Sequence, residues 1–328
     1  VLRNLPSTVP PFYFPTRVLH IDDNETYLKV MRPHLDVTLE SFSSAGEALD
    51  QIASAEGTPG ILRSLVRRRA KGSEAELVLD VPMIHQIMYD PRRFNIPSVV
   101  VADYAMPEMT GLEFLSSCAE RHVGRILLTG QANKETVIQG FNDGLIDHYI
   151  EKSSTTAIDD LSLVIDQLQW RYFASAFASV AQSLSRDDFG FLWDAQAFGA
   201  LLGLLPWEAC EMYVHNAPNG VLFLNEEAQG MFVVVYSPSS LLALMEAAEG
   251  ADVSAEDISR MGSEEWVPVF HEGHASFVRG QVNYEMIPVE PLRTADGTYL
   301  VGVLEDLSRF KLDQVTSYGA WLDQHEAG

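Results

Sequence analysis

One stretch limits what this chain can become more than any other: Val99-Val100-Val101-Ala102-Asp103-Tyr104-Ala105-Met106-Pro107. Four apolar residues, three of them β-branched, run directly into an aspartate and a proline-containing turn. An apolar run without alternation predicts a strand buried on both faces, as in the middle of a parallel sheet. Ligand sites of such sheets lie just beyond the carboxyl ends of the strands. Asp103 is expected at one of those ends.

Three other segments repeat the pattern. Arg17-Val18-Leu19-His20-Ile21 runs into Asp22-Asp23, Arg125-Ile126-Leu127-Leu128 into Thr129, and Asp147-His148-Tyr149-Ile150-Glu151 into Lys152. The strand ends therefore offer three carboxylates, a hydroxyl and an amine. Crowded carboxylates repel, and a hard divalent cation such as Mg²⁺ relieves that repulsion. A carboxylate beside Mg²⁺, a threonine hydroxyl and a lysine ammonium is placed to attack phosphorus, with the cations neutralising charge on the transferred group.

In this order and at these strand ends, the acidic pair, the Asp103-Tyr-Ala-Met-Pro-Glu-Met-Thr-Gly111 segment, Thr129 and Lys152 resemble the receiver domain of a two-component response regulator. The resemblance implies a flavodoxin-like, doubly wound α/β fold with a five-stranded parallel sheet over residues 17–154. It implies that Asp103 is the phosphoacceptor, with Asp22, Asp23, Asp103 and the Ala105 backbone carbonyl holding Mg²⁺. Thr129 and Lys152 would contact the phosphoryl oxygens, and Tyr149 would be the aromatic that changes rotamer on activation. The implied partner is a sensor histidine kinase or a phosphotransfer protein. One departure is Ser153, which stands where the family usually has proline.

Charge narrows the output. With 22 Lys and Arg against 46 Asp and Glu, the formal net charge is −24, which repels nucleic acid and anionic membrane. Two cysteines, Cys118 and Cys210, make no disulfide framework. No apolar run is long enough to span a bilayer and no signal pattern is visible, so a cytoplasmic protein is expected.

Residues 1–16, with four prolines and Phe12-Tyr13-Phe14, predict an extended arm that packs on something. An insertion over about residues 55–95 separates Ile52 from the strand at Ser98; helices are expected over 61–70 and 76–90. Arg63, Arg67, Arg68, Arg69 and Lys71 gather five of the 22 basic residues there, either as a solvated face paired with the chain's own carboxylates or as a docking surface for an acidic partner. Asn133 is expected to cap the helix before Phe141. Leu161, Ile165, Leu168, Tyr172, Ala176 and Val180 recur at helical spacing and predict a long helix over 155–184, a linker within 155–187. It is read either as packed between two domains or as a coupling helix with a homodimer seam.

For residues 188–328 the pattern predicts a helix over 207–215, strands over 221–224 and 231–236, helices over 238–248 and 254–261, and strands over 266–270, 276–289 and 299–304. Two strands, helices, then three strands ending in Glu305-Asp306-Leu307 resemble a PAS sensor domain over about residues 207–310. Such a domain has an α+β fold, and Leu241, Leu244, Met245 and Phe277 would line its small-molecule pocket or simply fill its core. His271-Glu272-Gly273-His274 lacks the spacing of a zinc motif. No catalytic output is recognised, so the expectation is a phosphorelay regulator rather than an enzyme. The alternative is a small-molecule-sensing or protein-interaction module whose receiver is a dimerisation scaffold.

Overall fold

In the computed structural model, which describes residues 2–35, 37–54, 65–71, 74–119, 122–130, 134–178, 181–271 and 274–326, the first strand is the two-residue β1 (Phe12–Tyr13). The chain then enters a unit made of Pro15–Leu62 and Arg92–Ala176. Its first half holds β2 (Arg17–Ile21), α1 (Glu25–Met31), β3 (Leu39–Phe42) and α2 (Ala45–Ser54). The hairpin β4 (Val66–Lys71) and β5 (Glu74–Leu79) interrupts it and belongs to the other unit. The first unit resumes with β6 (Pro97–Asp103), α3 (Gly111–Ser117), β7 (Gly124–Thr129), α4 (Lys134–Asn142), β8 (His148–Glu151) and α5 (Ala157–Phe177).

The five strands of this unit form one sheet in the order β3-β2-β6-β7-β8, all neighbours parallel. Every residue of β6 is buried, as its unbroken apolar run predicts. Its side chains alternate between two core layers. Val100 and Ala102 join Leu19, Ile21 and Leu127 on one face, packed against Ala48 and Ile52 of α2 and Phe114 and Leu115 of α3. Val99 and Val101 join Val18, Ile126 and Leu128 on the other, packed against Met31 of α1 and Leu161, Ile165 and Leu168 of α5. The strand order reverses between β2 and β6, which is where an open sheet of this kind leaves a crevice.

The expected linker helix is shorter than 155–184 and is a structural layer of this unit, because its apolar stripe covers one face of the sheet. Val180 and Asn133 lie outside the described residues.

The second unit comprises Val1–Phe14, Arg63–Pro91 and Phe177–Gly328. The insertion departs from expectation where it is described. Residues 66–79 are the β4–β5 hairpin, with Arg69 opposite Glu76 and Lys71 opposite Glu74 in register. Two short turns of helix, Val81–Ile84 and His85–Tyr89, follow. Arg67 pairs with Asp80, and Arg63 lies outside the described residues.

The main sheet of this unit adds β9 (Glu211–Asn216), β10 (Asn219–Leu224) and β11 (Gly230–Tyr236), then α6 of the preceding segment (Ala195–Leu202) packs beside it. After α7 (Pro238–Gly250) and α8 (Ala255–Gly262) come β12 (Trp266–Phe270), β13 (Tyr284–Pro288), β14 (Glu290–Arg293) and β15 (Thr298–Leu304). The six-stranded antiparallel order is β1-β9-β10-β11-β15-β14, while β12 and β13 pair apart from it.

This corrects two expectations. Residues 211–216 are a strand and not a helix, because Met212, Tyr213 and Val214 are buried on both sides of the sheet instead of along one helical stripe. The succession of two strands, helices and three strands that underlies the PAS resemblance is also not the one observed. Three consecutive strands precede the helices, and the strands after them are split between two sheets. Of the residues assigned to a PAS-like pocket, Leu241 is buried and Phe277 packs edge-on against Phe270 and Tyr284.

The arm is seated as expected: Phe12 pairs with Tyr213 and Tyr13 with Met212. The insertion meets the same strand. His85 lies 5.1 Å from His215 of β9, centroid to centroid, and both rings stand edge-on to Phe310. Burial pushes the His215 imidazole down to about 4, helped by His85 and Arg309 and opposed by a hydrogen bond to the Pro218 carbonyl. Burial lowers His85 as well. A histidine held below its unfolded value stabilises the fold fully above pH 6.5, and that stability is lost as pH falls towards 4. The loss attributable to His215 is about 3 kcal/mol. Urea unfolding at pH 7, 5.5 and 4.5 is expected to show a flatter pH dependence for His215→Phe than for the wild-type chain; parallel curves would remove His215 as the source.

Candidate functional site

The loops that leave β2, β6 and β8 converge at the crevice. Beyond β2, Asp22 is fully buried and its backbone N–H donates to Phe42 O at 3.0 Å, continuing the ladder. Its Oδ1 accepts from the Asn24 N–H at 3.0 Å, while the Asn24 side chain accepts from Thr26 N and Tyr27 N and starts α1. One residue's turn thus aims Asp22 inward and leaves Asp23 exposed.

Asp103 closes β6 and is 5% exposed. Its Oδ2 accepts from the Ala105 N–H at 2.8 Å. The chain then turns back so that Gly111 N donates to Tyr104 O at 2.9 Å. A Cβ at Gly111 would stand 2.2 Å from the Asp103 carbonyl oxygen, so only glycine allows this approach. Thr110 and Glu113 form a capping box at the start of α3. In the same turn, Glu108 accepts from Gly46 N at 3.2 Å and Ser44 Oγ, which caps α2 from across the crevice.

Lys152 follows β8. Its backbone N–H donates to Thr129 O at 2.9 Å, which ties the lysine to the end of β7. Its ammonium lies 2.5 Å from Asp22 Oδ2 and 2.7 Å from Asp103 Oδ1. Proline is therefore not required at 153 for this aim: Ser153 instead donates to Glu151 Oε1 at 2.6 Å. Burial alone would lower the Lys152 ammonium, but the hydrogen bonds to Asp103 and Asp22 outweigh it and hold it above its usual range. Burial raises the Asp22 carboxyl, opposed by Lys152 and the Asn24 N–H.

Asp22, Asp23 and Asp103 each bring a carboxylate oxygen within 4.8 Å of the others. Among the described residues this is the one group of three or more His, Cys, Asp or Glu side chains so placed. An all-oxygen, doubly or triply anionic set suits a hard cation that keeps part of its water shell, so the residues fit Mg²⁺. Ala105 stands in the exposed turn immediately after Asp103, and Thr129 is 2% exposed at the end of β7. Tyr149, opposite Leu127 in β8, is half-buried against the core layer that includes Leu127.

Two further residues belong here that the sequence analysis did not assign to the site. The Tyr27 ring lies under the Lys152 ammonium, 4.4 Å from its centroid. His20, fully buried with neither ring nitrogen hydrogen-bonded, meets Tyr27 edge-on at 6.1 Å. Burial pushes His20 down to about 4, with Lys152 acting in the same direction and Asp103 against it. The available signal was positional: Tyr27 opens α1 one turn after the acidic pair, on the face that carries Leu28 and Met31 into the unit.

No protein-family model matches the chain, and no curated protein is significantly similar to it. Among solved structures, the response regulator LqsR of Legionella pneumophila is 28% identical, with 96% of this chain and 95% of that chain covered and a TM-score of 0.76. A CheY-like receiver domain protein of Methanospirillum hungatei is 20% identical over 49% of this chain and 98% of its own, with a TM-score of 0.34. The signal receiver domain of an HD domain-containing protein of Pseudomonas fluorescens is 19% identical over 49% and 98%, also at 0.34. The chain resembles a response regulator over nearly its whole length. No helix among the described residues is long and apolar enough to cross a membrane.

Removing the ammonium while leaving both buried carboxylates should cost about 3–5 kcal/mol, the usual penalty for breaking a buried pair from one side. Lys152→Met is therefore expected to unfold at markedly lower urea in EDTA and to regain much of the loss with Mg²⁺. An unchanged midpoint in EDTA would show that the ammonium gives no net stabilisation.

Proposed function

We propose that this chain is a phosphorelay response regulator in which Asp103 accepts a phosphoryl group. The observation that carries the reading is the Lys152 ammonium held between Asp22 and Asp103, with Asp23 alongside, at the crevice where the strand order reverses. An Asp103 carboxylate oxygen attacks phosphorus, the bond from phosphorus to the donor's imidazole nitrogen breaks, and the imidazole, which already carries a proton on its other nitrogen, leaves neutral. Asp22, Asp23, Asp103 and the Ala105 carbonyl would hold Mg²⁺, whose charge offsets that of the phosphoryl oxygens when it is bound. Lys152 moves from Asp22 towards a phosphoryl oxygen, and the Thr129 hydroxyl donates to another.

The switch that follows is the drawing of Thr129 towards the phosphoryl group, with Tyr149 taking the space behind it. Similarity to LqsR, a response regulator, supports a histidine kinase or a phosphotransfer protein as the donor. The output acts on protein and not on DNA, because a net charge of −24 opposes approach to a polyanion. The chain leaves the receiver at Ala176, the end of α5 in that unit, so the signal passes along this helix to the C-terminal unit or to a partner. Beyond its own phosphorylation the chain performs no separate catalysis.

The test is phosphoryl uptake from acetyl phosphate, followed as acid-stable versus hydroxylamine-labile incorporation. Wild-type chain with Mg²⁺ should be labelled; EDTA or Asp103→Asn should abolish the label. Equal labelling of Asp103→Asn would move the acceptor elsewhere, and no labelling of the wild type by acetyl phosphate would overturn the reading.

A further inference from the structure

The arrangement of Lys152 raises a problem that Asp22 and Asp103 do not solve by themselves. The ammonium is held by one oxygen from each carboxylate, 2.5 Å and 2.7 Å away. Both carboxylates belong to the set of three aspartates whose oxygens lie within 4.8 Å of one another. A divalent cation there competes with Lys152 for the same oxygens. Once Asp103 is esterified to phosphorus, its oxygens also carry less charge. Both anionic partners of the lysine thus weaken at the moment its position matters.

One partner does not change. The ring of Tyr27 presents its face to the Lys152 ammonium at 4.4 Å. An aromatic face attracts a cation through its quadrupole, and neither a metal nor a phosphoryl group competes for it. Tyr27 is fixed from both sides. Its backbone N–H is held by the Asn24 side chain at the start of α1, and its ring meets the buried edge of His20 at 6.1 Å. His20 makes no hydrogen bond through either nitrogen, so no polar partner draws its ring away from Tyr27. His20 thus touches Tyr27, and Tyr27 touches the Lys152 ammonium that the carboxylates hold.

We infer that Tyr27 is a positioning residue for Lys152: its ring face holds the ammonium over the phosphoacceptor site while Asp22 and Asp103 turn to the metal and the phosphoryl group, and His20 buttresses the ring. This inference rests on the proposed phosphoacceptor role of Asp103. It requires the ring and not the hydroxyl. Phenylalanine should therefore serve, and leucine, of comparable apolar character but without a π face, should not.

Two readouts on the full chain test it. The chain has five lysines, Lys29, Lys71, Lys134, Lys152 and Lys311, so lysine Cε–H resonances of labelled protein are few, and Lys152 is assigned by its loss in Lys152→Met. In the wild type this resonance should be shifted upfield by the Tyr27 ring, with and without Mg²⁺ and trifluoroberyllate. Tyr27→Phe should keep the shift, and Tyr27→Leu should lose it. Affinity for trifluoroberyllate in Mg²⁺ should fall roughly three- to tenfold in Tyr27→Leu and return in Tyr27→Phe, the range a partly buried cation–π contact allows. Amide spectra of both variants report whether the unit is folded, and the leucine–phenylalanine contrast is read only between folded proteins. If Tyr27→Leu matches the wild type in both readouts, or if Phe fails to restore what Leu loses, Tyr27 does not position Lys152. If the wild type binds no trifluoroberyllate while its Lys152 resonance carries the ring shift, the phosphoacceptor role fails first and this inference falls with it.

Discussion

The parallel-sheet unit depends on one ammonium group between two buried carboxylates. Asp22 and Asp103 end neighbouring strands, β2 and β6, and neither side chain reaches bulk water to any extent. Two such charges side by side would strain the sheet's edge, since each loses hydration and repels the other. Lys152, delivered from the far side of β7 by the backbone bond to Thr129, supplies the compensating charge. In the proposed phosphoryl transfer, the group that stabilises the resting acids is also the one that would follow charge onto the phosphoryl group. Stability and chemistry are here the same electrostatic arrangement in two states.

Precision at that point comes from short local devices on a rigid sheet. β6 is buried along its whole length and fixed by two core layers, so its end cannot wander. The Asn24 cap, the Ala105 N–H on Asp103, the glycine at 111 and the Thr110–Glu113 capping box each remove a degree of freedom from a loop that bears a functional group. Glu108 adds a bond from the Asp103 turn to the start of α2, so two loops on opposite sides of the crevice are tied without a metal. The site is thereby built on strand ends and helix starts, which hold geometry better than free loops.

The C-terminal unit cannot be cut away at the end of the receiver segment. Its six-stranded sheet takes β1 from the beginning of the chain, and its fold includes residues 63–91 from within the receiver's own sequence. The chain therefore crosses between units at Phe14–Pro15, at 62–63, at 91–92 and at 176–177. The insertion is accordingly part of the second unit's architecture, its His85 against His215 of β9, and the registered pairs Arg69–Glu76 and Lys71–Glu74 place acids opposite bases within the hairpin.

By itself the sequence determined the parallel sheet, the strand ends and the acids, threonine and lysine that stand on them. Continuous apolar runs, capping residues and turn residues are local signals, and the receiver's elements are short and read in order. It also determined that residues 1–16 must be seated, because Phe12 and Phe14 are too apolar to be left in water. Only the tertiary structure decided what those signals meet. Phe12 finds Tyr213, some two hundred positions away, and the basic segment pairs as a strand of a hairpin where a helix was expected. Residues 207–215 read as a helix until β10 is beside 211–216, and α5 reads as a helix between two domains until the sheet is under it. Tyr27 likewise looks like any helix-stripe residue. Its place beneath the Lys152 ammonium follows from the packing of α1 across the end of β2, a contact between residues 125 positions apart that no local pattern encodes.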